Sequence, residues 1–166
     1  MIEKVVLVDE KDNEIGKMEK MEAHRKGLLH RAFSVVVFNG KGGMLLQKRN
    51  KKKYHSGGLW TNTCCGHPRP GEGIIEAGER RLFEEMGIKV TLKEINKFIY
   101  KVQLAEGLWE NEFDHVLVGN YEEQEIKPDS DEVSHWKWVN TEILKKEMSE
   151  EAEEFTYWFK ELIKEL

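Results

Sequence analysis

Apolar and polar positions along the chain recur with two periods. Residues 2–9 (Ile-Glu-Lys-Val-Val-Leu-Val-Asp) hold a short β-branched run that predicts a strand, closed by a polar turn from Glu10 to Asn13. Ile15 to Met21 predicts a short second strand. Residues 32–38 (Ala-Phe-Ser-Val-Val-Val-Phe) and 43–47 flank Asn39-Gly-Lys-Gly, a hairpin signal because Asn and Gly accept positive φ. Further strands are expected at 88–92, 96–104, 112–121 and around 134–139. The helical period takes over between Gly73 and Met86, where Ile74, Ile75, Ala77, Leu82, Phe83 and Met86 recur at near-helical spacing and Gly87 supplies a stop. Pro68, Pro70 and Gly71 confine the segment before this helix to a loop. From about Glu142 to Leu166 two helical stretches are expected, the last with a broad stripe of Phe155, Trp158, Phe159, Leu162 and Ile163. No linker, repeat or low-complexity tract divides residues 1–166, so one domain is expected. Its class is α+β, with mixed and antiparallel sheets and flanking helices.

Composition narrows the partners. Charged residues make up 34% and hydrophobic ones 39%, which fits a soluble globular chain and not a disordered one. A net charge of -5 argues against a nucleic-acid partner, which would normally meet a basic surface. The longest apolar runs are strand-sized, so no membrane span is expected. Cys64 and Cys65 are neighbours and offer no ordinary disulfide framework; a reducing cytoplasm is the expected setting. A monomer or a weak homodimer is expected.

Chemistry concentrates in residues 59–68, Leu-Trp-Thr-Asn-Thr-Cys-Cys-Gly-His-Pro, read as a loop that places Cys65 two residues from His67. Cys64 has the opposite parity and is expected to pack. His24 and His30 lie six apart, on different faces of a continuous helix, so they converge only through a loop or a helix-to-strand passage, which Gly27 allows. Glu110 and Glu112 would share one face of a strand. Three imidazoles and two carboxylates form a ligand set suited to zinc, manganese or iron. Spacing alone does not separate that set from exposed or singly hydrogen-bonded residues. On the helix, Arg80 and Glu84, and Arg81 and Glu85, pair at i,i+4. They read equally as surface ion pairs or as one glutamate holding Mg²⁺ beside a diphosphate, with Lys20, Arg49, Lys53 and Arg81 supplying positive charge. His55, His115 and His135 are given no chemical role. Of the aromatic rings at Trp60, Tyr100, Trp109, Trp136 and Trp158, most are expected to pack; one in a closed pocket could face a developing cation.

These residues carry a resemblance to two nested families. Gly66, Glu72, Arg80, Arg81, Leu82, Glu84, Glu85, Gly87 and Ile88 fall at the spacings of the Nudix box, with one departure: Arg81 stands where the hydrolases have glutamate. That glutamate belongs to the magnesium-binding cluster the hydrolases use, so the departure argues against phosphoanhydride hydrolysis. Residues 60–68 and 109–112 (Trp-Glu-Asn-Glu) resemble the two signatures of type 1 isopentenyl-diphosphate isomerases, and the Lys20–His24 stretch and Trp158 agree. The resemblance implies a Nudix-like α/β/α sandwich and the interconversion of isopentenyl and dimethylallyl diphosphate. It implies an inner site of His24, His30, His67, Glu110 and Glu112 for Mn²⁺ or Zn²⁺, and Glu85 on a diphosphate-bound Mg²⁺. It also implies Cys65, Glu112 and Tyr100 as catalytic groups, with Lys20, Arg49, Lys53 and Arg81 on the diphosphate and Trp158 over the hydrocarbon. The partner expected is a small isoprenoid diphosphate. No flavin is expected, for the chain lacks a dinucleotide-binding fingerprint. The competing readings are a Nudix hydrolase of nucleoside diphosphate derivatives and a non-catalytic diphosphate-binding module.

Overall fold

The structure is a computed structural model and describes residues 2–166. The chain opens with an antiparallel hairpin, β1 (Lys4–Val8) and β2 (Glu14–Glu19), then a short helix α1 (Lys20–Lys26) and the long strand β3 (His30–Phe38). β4 (Gly43–Arg49) leads through a loop to two short strands, β5 (Trp60–Thr61) and β6 (Cys64–Gly66), and to helix α2 (Ile74–Met86). β7 (Lys93–Gln103), β8 (Trp109–Asn120) and β9 (Val133–Asn140) follow, and α3 (Thr141–Glu150) and α4 (Tyr157–Leu162) close the chain.

β3 is the axis of the sheet. β8 runs parallel to it along its whole length on one side, and β6 pairs antiparallel on the other. β7 extends the sheet beyond β8, while β4 sits between β9 and β5 in an antiparallel group. One face of the sheet buries Phe33, Val35, Val37 and Leu117 against Ala77, Leu82 and Met86 of α2. The other buries Val36, Val116 and Val118 against Leu144 and Met148 of α3 and Phe159 and Leu162 of α4. The result is the expected three-layer sandwich, with helices on both faces of a mixed sheet.

The helix expected from Gly73 to Met86 forms, with Gly73 as N-cap and Gly87 at φ 69 beyond the last turn. A side chain at Gly87 would bring a Cβ to 2.4 Å from the Lys127 carbonyl oxygen, so the stop is steric as well as conformational.

Three local expectations are corrected. Residues 88–92 are not a strand. Ile88, Val90 and Leu92 alternate inward as a strand would, but the backbone is held by side chains: Lys89 N–H donates to Gln124 Oε1 (2.8 Å) and Leu92 N–H to Glu79 Oε1 (3.0 Å). The turn at Asn39 closes, with Asn39 N–H on the Gly43 carbonyl at 3.0 Å, yet the ladder between β3 and β4 ends at one pair, Phe38 and Met44. The strands diverge there because β3 takes β8 and β6 as partners and β4 takes β9. Finally, residues 59–68 are not wholly loop, since β5 and β6 lie within them.

Candidate active site

Register on β3 assembles the site. Ser34 pairs with Cys65 on β6, His30 pairs with Glu112 on β8, and Glu112 pairs in turn with Tyr100 on β7. Paired residues share a face and alternate residues along a strand do too, so Cys65, Ser34, His30, Glu110, Glu112 and Tyr100 all look out on one side. Cys64 faces the other way, into the core beneath α2, as its parity predicts.

α1 adds the remaining imidazole. Its first turn is capped by Glu19, whose carboxylate accepts from the Met21 and Glu22 amides. It ends at Gly27 in the left-handed region (φ 66), where a Cβ would meet the Trp109 ring at 3.2 Å. This glycine lets the helix stop and the chain turn into β3 within a few residues. His24 and His30 thus come together, with ring centroids 4.9 Å apart. The helix-to-strand passage expected from the sequence is present.

The donor atoms converge. His24 Nδ1 lies 2.7 Å from the Lys20 carbonyl and His30 Nδ1 2.9 Å from the Leu28 carbonyl, so each Nδ1 carries the proton and each Nε2 offers a lone pair inward. His30 Nε2 and His67 Nε2 both approach Glu112 Oε2, at 3.2 and 2.9 Å. His24 Nε2 faces Glu110 Oε2 at 3.5 Å, and both atoms are buried without a hydrogen-bond partner among the described residues. Lone pairs aimed at carboxylate oxygens in a buried space repel unless a positive charge lies between them. These donors fit a divalent cation, and nitrogen with carboxylate oxygen suits Zn²⁺ or Mn²⁺. With protons on the His30 and His67 Nε2 atoms in place of a cation, their hydrogen bonds and charge outweigh burial and hold the Glu112 carboxyl well below the usual glutamate range; a divalent ion acts in the same sense.

Cys65 lies on the other side of the cavity lining. Its sulfur approaches Asn62 Oδ1 at 3.2 Å and accepts the indole N–H of Trp158 at 3.1 Å. Burial, with the nearby Asp114 carboxylate, pushes the thiol up, so it rests protonated. The Tyr100 hydroxyl donates to Glu112 Oε1 at 2.6 Å, and burial together with the Glu112 charge raises that phenol too.

Cys65, His67, Tyr100, Glu110, Glu112 and Trp158 line one cavity of about 140 Å³ together with Lys20, Arg49, Lys53, Arg81 and Glu85. Arg49 lies over the Trp158 ring, 5.1 Å from its centroid, and its Nε is buried with no partner, a donor left for an anion. Arg81 pairs with Glu85 (2.8 Å) and Lys53 with Glu132. Four Lys and Arg side chains meet five carboxylates around this cavity, Glu3 and Glu132 included. The space is therefore acidic by one charge, and a diphosphate enters it readily only together with cations.

The residues to which the family resemblance gives a role line this cavity or belong to the imidazole cluster, whereas Arg80 and Glu84, also singled out, pair with each other outside that lining. Two buried groups escaped that reading. His55, given no role, has Nε2 3.1 Å from Glu110 Oε1. Gln47 on β4 donates its amide to Glu85 Oε1 (3.1 Å) and to the Thr63 carbonyl (2.8 Å), fixing the carboxylate. Neither sits at a spacing that marks it; only the folded chain brings them in.

The NUDIX domain family matches residues 28–159. The chain is 50% identical to isopentenyl-diphosphate Delta-isomerase 2 of Photorhabdus laumondii over 98% of its length and 92% of that protein. It is 48% identical to the isopentenyl-diphosphate Delta-isomerase of Burkholderia multivorans, covering 96% of this chain and 90% of that one. Among solved structures, DR0079 from Deinococcus radiodurans superposes with a TM-score of 0.74 over 90% of each chain at 18% identity. The MutT protein from Methanosarcina mazei gives 0.67 at 21% identity, over 82% of this chain and 91% of that one. At those identities the structures share the fold alone. The chain belongs to the Nudix family and, within it, to the group of isopentenyl-diphosphate Delta-isomerases.

Proposed function

We propose that this chain, as one domain, interconverts isopentenyl and dimethylallyl diphosphate by protonation and deprotonation through a tertiary carbocation. The observation that carries the reading is a thiol and a tyrosine-bonded carboxylate, Cys65 and Glu112, lining the same small cavity as four basic side chains. The relatives at 48–50% identity bear that activity in their names.

An unactivated alkene is a weak base, so its protonation requires a positioned acid and stabilisation of the cation that forms. In the forward direction the Glu112–Tyr100 side delivers a proton to the terminal methylene, and Cys65 Sγ takes one from C2. One turnover leaves the proton on sulfur, and exchange with solvent restores the starting state. A protonated thiol beside an ionised carboxylate, which the burial of Cys65 and the surroundings of Glu112 favour, is the state ready for the return direction. Trp158 turns its π face toward the cation, worth about 1–2 kcal/mol in a dry pocket. The same ring keeps out the water that would trap the cation as an alcohol. Lys20, Arg49, Lys53 and Arg81 hold the diphosphate, and Glu85 binds the Mg²⁺ that accompanies it. Held by His24, His30, His67, Glu110 and Glu112, a Zn²⁺ or Mn²⁺ ion supplies charge that fixes Glu112 and sets its proton affinity.

The test is deuterium incorporation from heavy water into isopentenyl diphosphate. Wild type is expected to exchange and isomerise, and Cys65→Ala to lose at least a thousandfold in rate while remaining folded. Full activity in that variant removes the thiol from the mechanism. Release of phosphate or pyrophosphate without double-bond movement would instead establish a hydrolase, and binding without exchange a recognition module.

A further inference from the structure

The imidazole of His55 lies outside the ligand set implied by the family, yet it is buried and bonded to one of that set. Its Nε2 is 3.1 Å from Glu110 Oε1, and its Nδ1 is 3.2 Å from the Ser56 hydroxyl. With the hydroxyl donating to Nδ1, the Nε2–H donates to the carboxylate. That bond occupies Oε1 and leaves Oε2, the oxygen with no partner, turned to His24 Nε2. The ring itself is clamped. Tyr54 meets it edge-on at 4.3 Å, Trp158 at 5.6 Å and 89°, and its backbone carbonyl accepts from Arg49 Nη2 at 3.2 Å.

We infer that His55 is a positioning residue that orients Glu110 for the inner cation and, through its edge, seats the Trp158 ring. The inference rests on the reading that the imidazole cluster holds a divalent ion. Carboxylate ligands are commonly held by an outer hydrogen bond, and its loss typically costs about 10- to 100-fold in metal affinity. His24, His55 and Glu110 bring donor atoms within 4.8 Å of one another, but the His55 nitrogen meets Oε1 and not the oxygen turned to His24, which favours an outer hydrogen bond over ligation. His55 thereby links three parts of the cavity lining, the cluster, the indole and the Arg49 guanidinium.

The experiment measures Zn²⁺ and Mn²⁺ affinity by competition with a chromophoric chelator, in wild type, His55→Phe and His55→Gln, with circular dichroism to check folding. His55→Phe keeps a ring against Trp158 and loses the donor; its affinity is expected to fall about 10- to 100-fold. His55→Gln restores an N–H donor and is expected to recover most of the loss. The visible spectrum of the Co²⁺-loaded protein is expected to keep its form in the Phe variant. Equal affinity in wild type and His55→Phe overturns the inference alone, as does a Co²⁺ spectrum showing one ligand fewer. A folded wild type that binds no cation overturns the site reading and this inference together.

Discussion

Removing one oxygen at Tyr100 tests the side of the cavity proposed to deliver the proton. Tyr100→Phe keeps the ring where Phe98 and Tyr157 hold it, with centroids 5.8 and 6.1 Å away, so the loss is confined to the hydroxyl. Glu112 Oε2 is engaged by His30 and His67, whereas Oε1 has the tyrosine hydroxyl, at 2.6 Å, as its hydrogen-bond donor. A hydrogen bond to a charged group contributes about 1.5–3 kcal/mol. If it holds Glu112 and its proton in line during transfer, that energy appears in the barrier, and about 1.4 kcal/mol is tenfold in rate. The expectation is a fall in kcat of about 10- to 150-fold. KM should stay within a factor of about two, because Lys20, Arg49, Lys53 and Arg81 are untouched. Steady-state kinetics with isopentenyl diphosphate, run beside solvent-deuterium incorporation and a metal assay on the same preparation, separates the contributions. A kcat within twofold of wild type at full metal content refutes the reasoning, and so does a loss confined to KM.

Arg81→Glu recreates the hydrolase box and is expected to raise KM for the diphosphate at least tenfold, since it removes a cation that pairs with Glu85 and adds a carboxylate to an acidic cavity. A gain of nucleotide hydrolysis with unchanged isomerisation would show that Arg81 has another purpose. Stripping the cation with a chelator should abolish isomerisation and lower the melting temperature. A cation held at 100 times its Kd contributes about 2.7 kcal/mol, equivalent to roughly 5–10 °C for a chain of this size. Identical melting curves with and without chelator would mean that the imidazole cluster is not a cation site.

Sequence pattern revealed what rests on local periodicity and little that rests on distant partners. The α2 helix was legible from Ile74 to Met86 because its apolar face and its glycine stop lie within the segment. Residues 88–92 alternate like a strand but draw their hydrogen bonds from Gln124 and Glu79, groups remote in the sequence that no pattern in the segment names. The Asn39 turn was legible, but the separation of the strands beyond it depends on β8 and β9, which compete for them. At the site, parity alone sorted Cys65 from Cys64, while His24 and His30 needed the family resemblance to become ligands. His55 was missed because its loop carries no period: its place is set by Glu110, fifty-five positions further on.

One strand, β3, serves as a common ruler for the two groups proposed to react, with the thiol on a rung to one side and the carboxylate on a rung to the other. Their separation is therefore counted in rungs, and surface turns can lengthen or shorten without changing it. A single extra residue just ahead of Gly66 has the opposite effect: it slides β6 one rung and flips its side chains to opposite faces. The chain would then fold with the inserted side chain, not the Cys65 thiol, opposite Ser34, and with the rest of the cavity lining still in place.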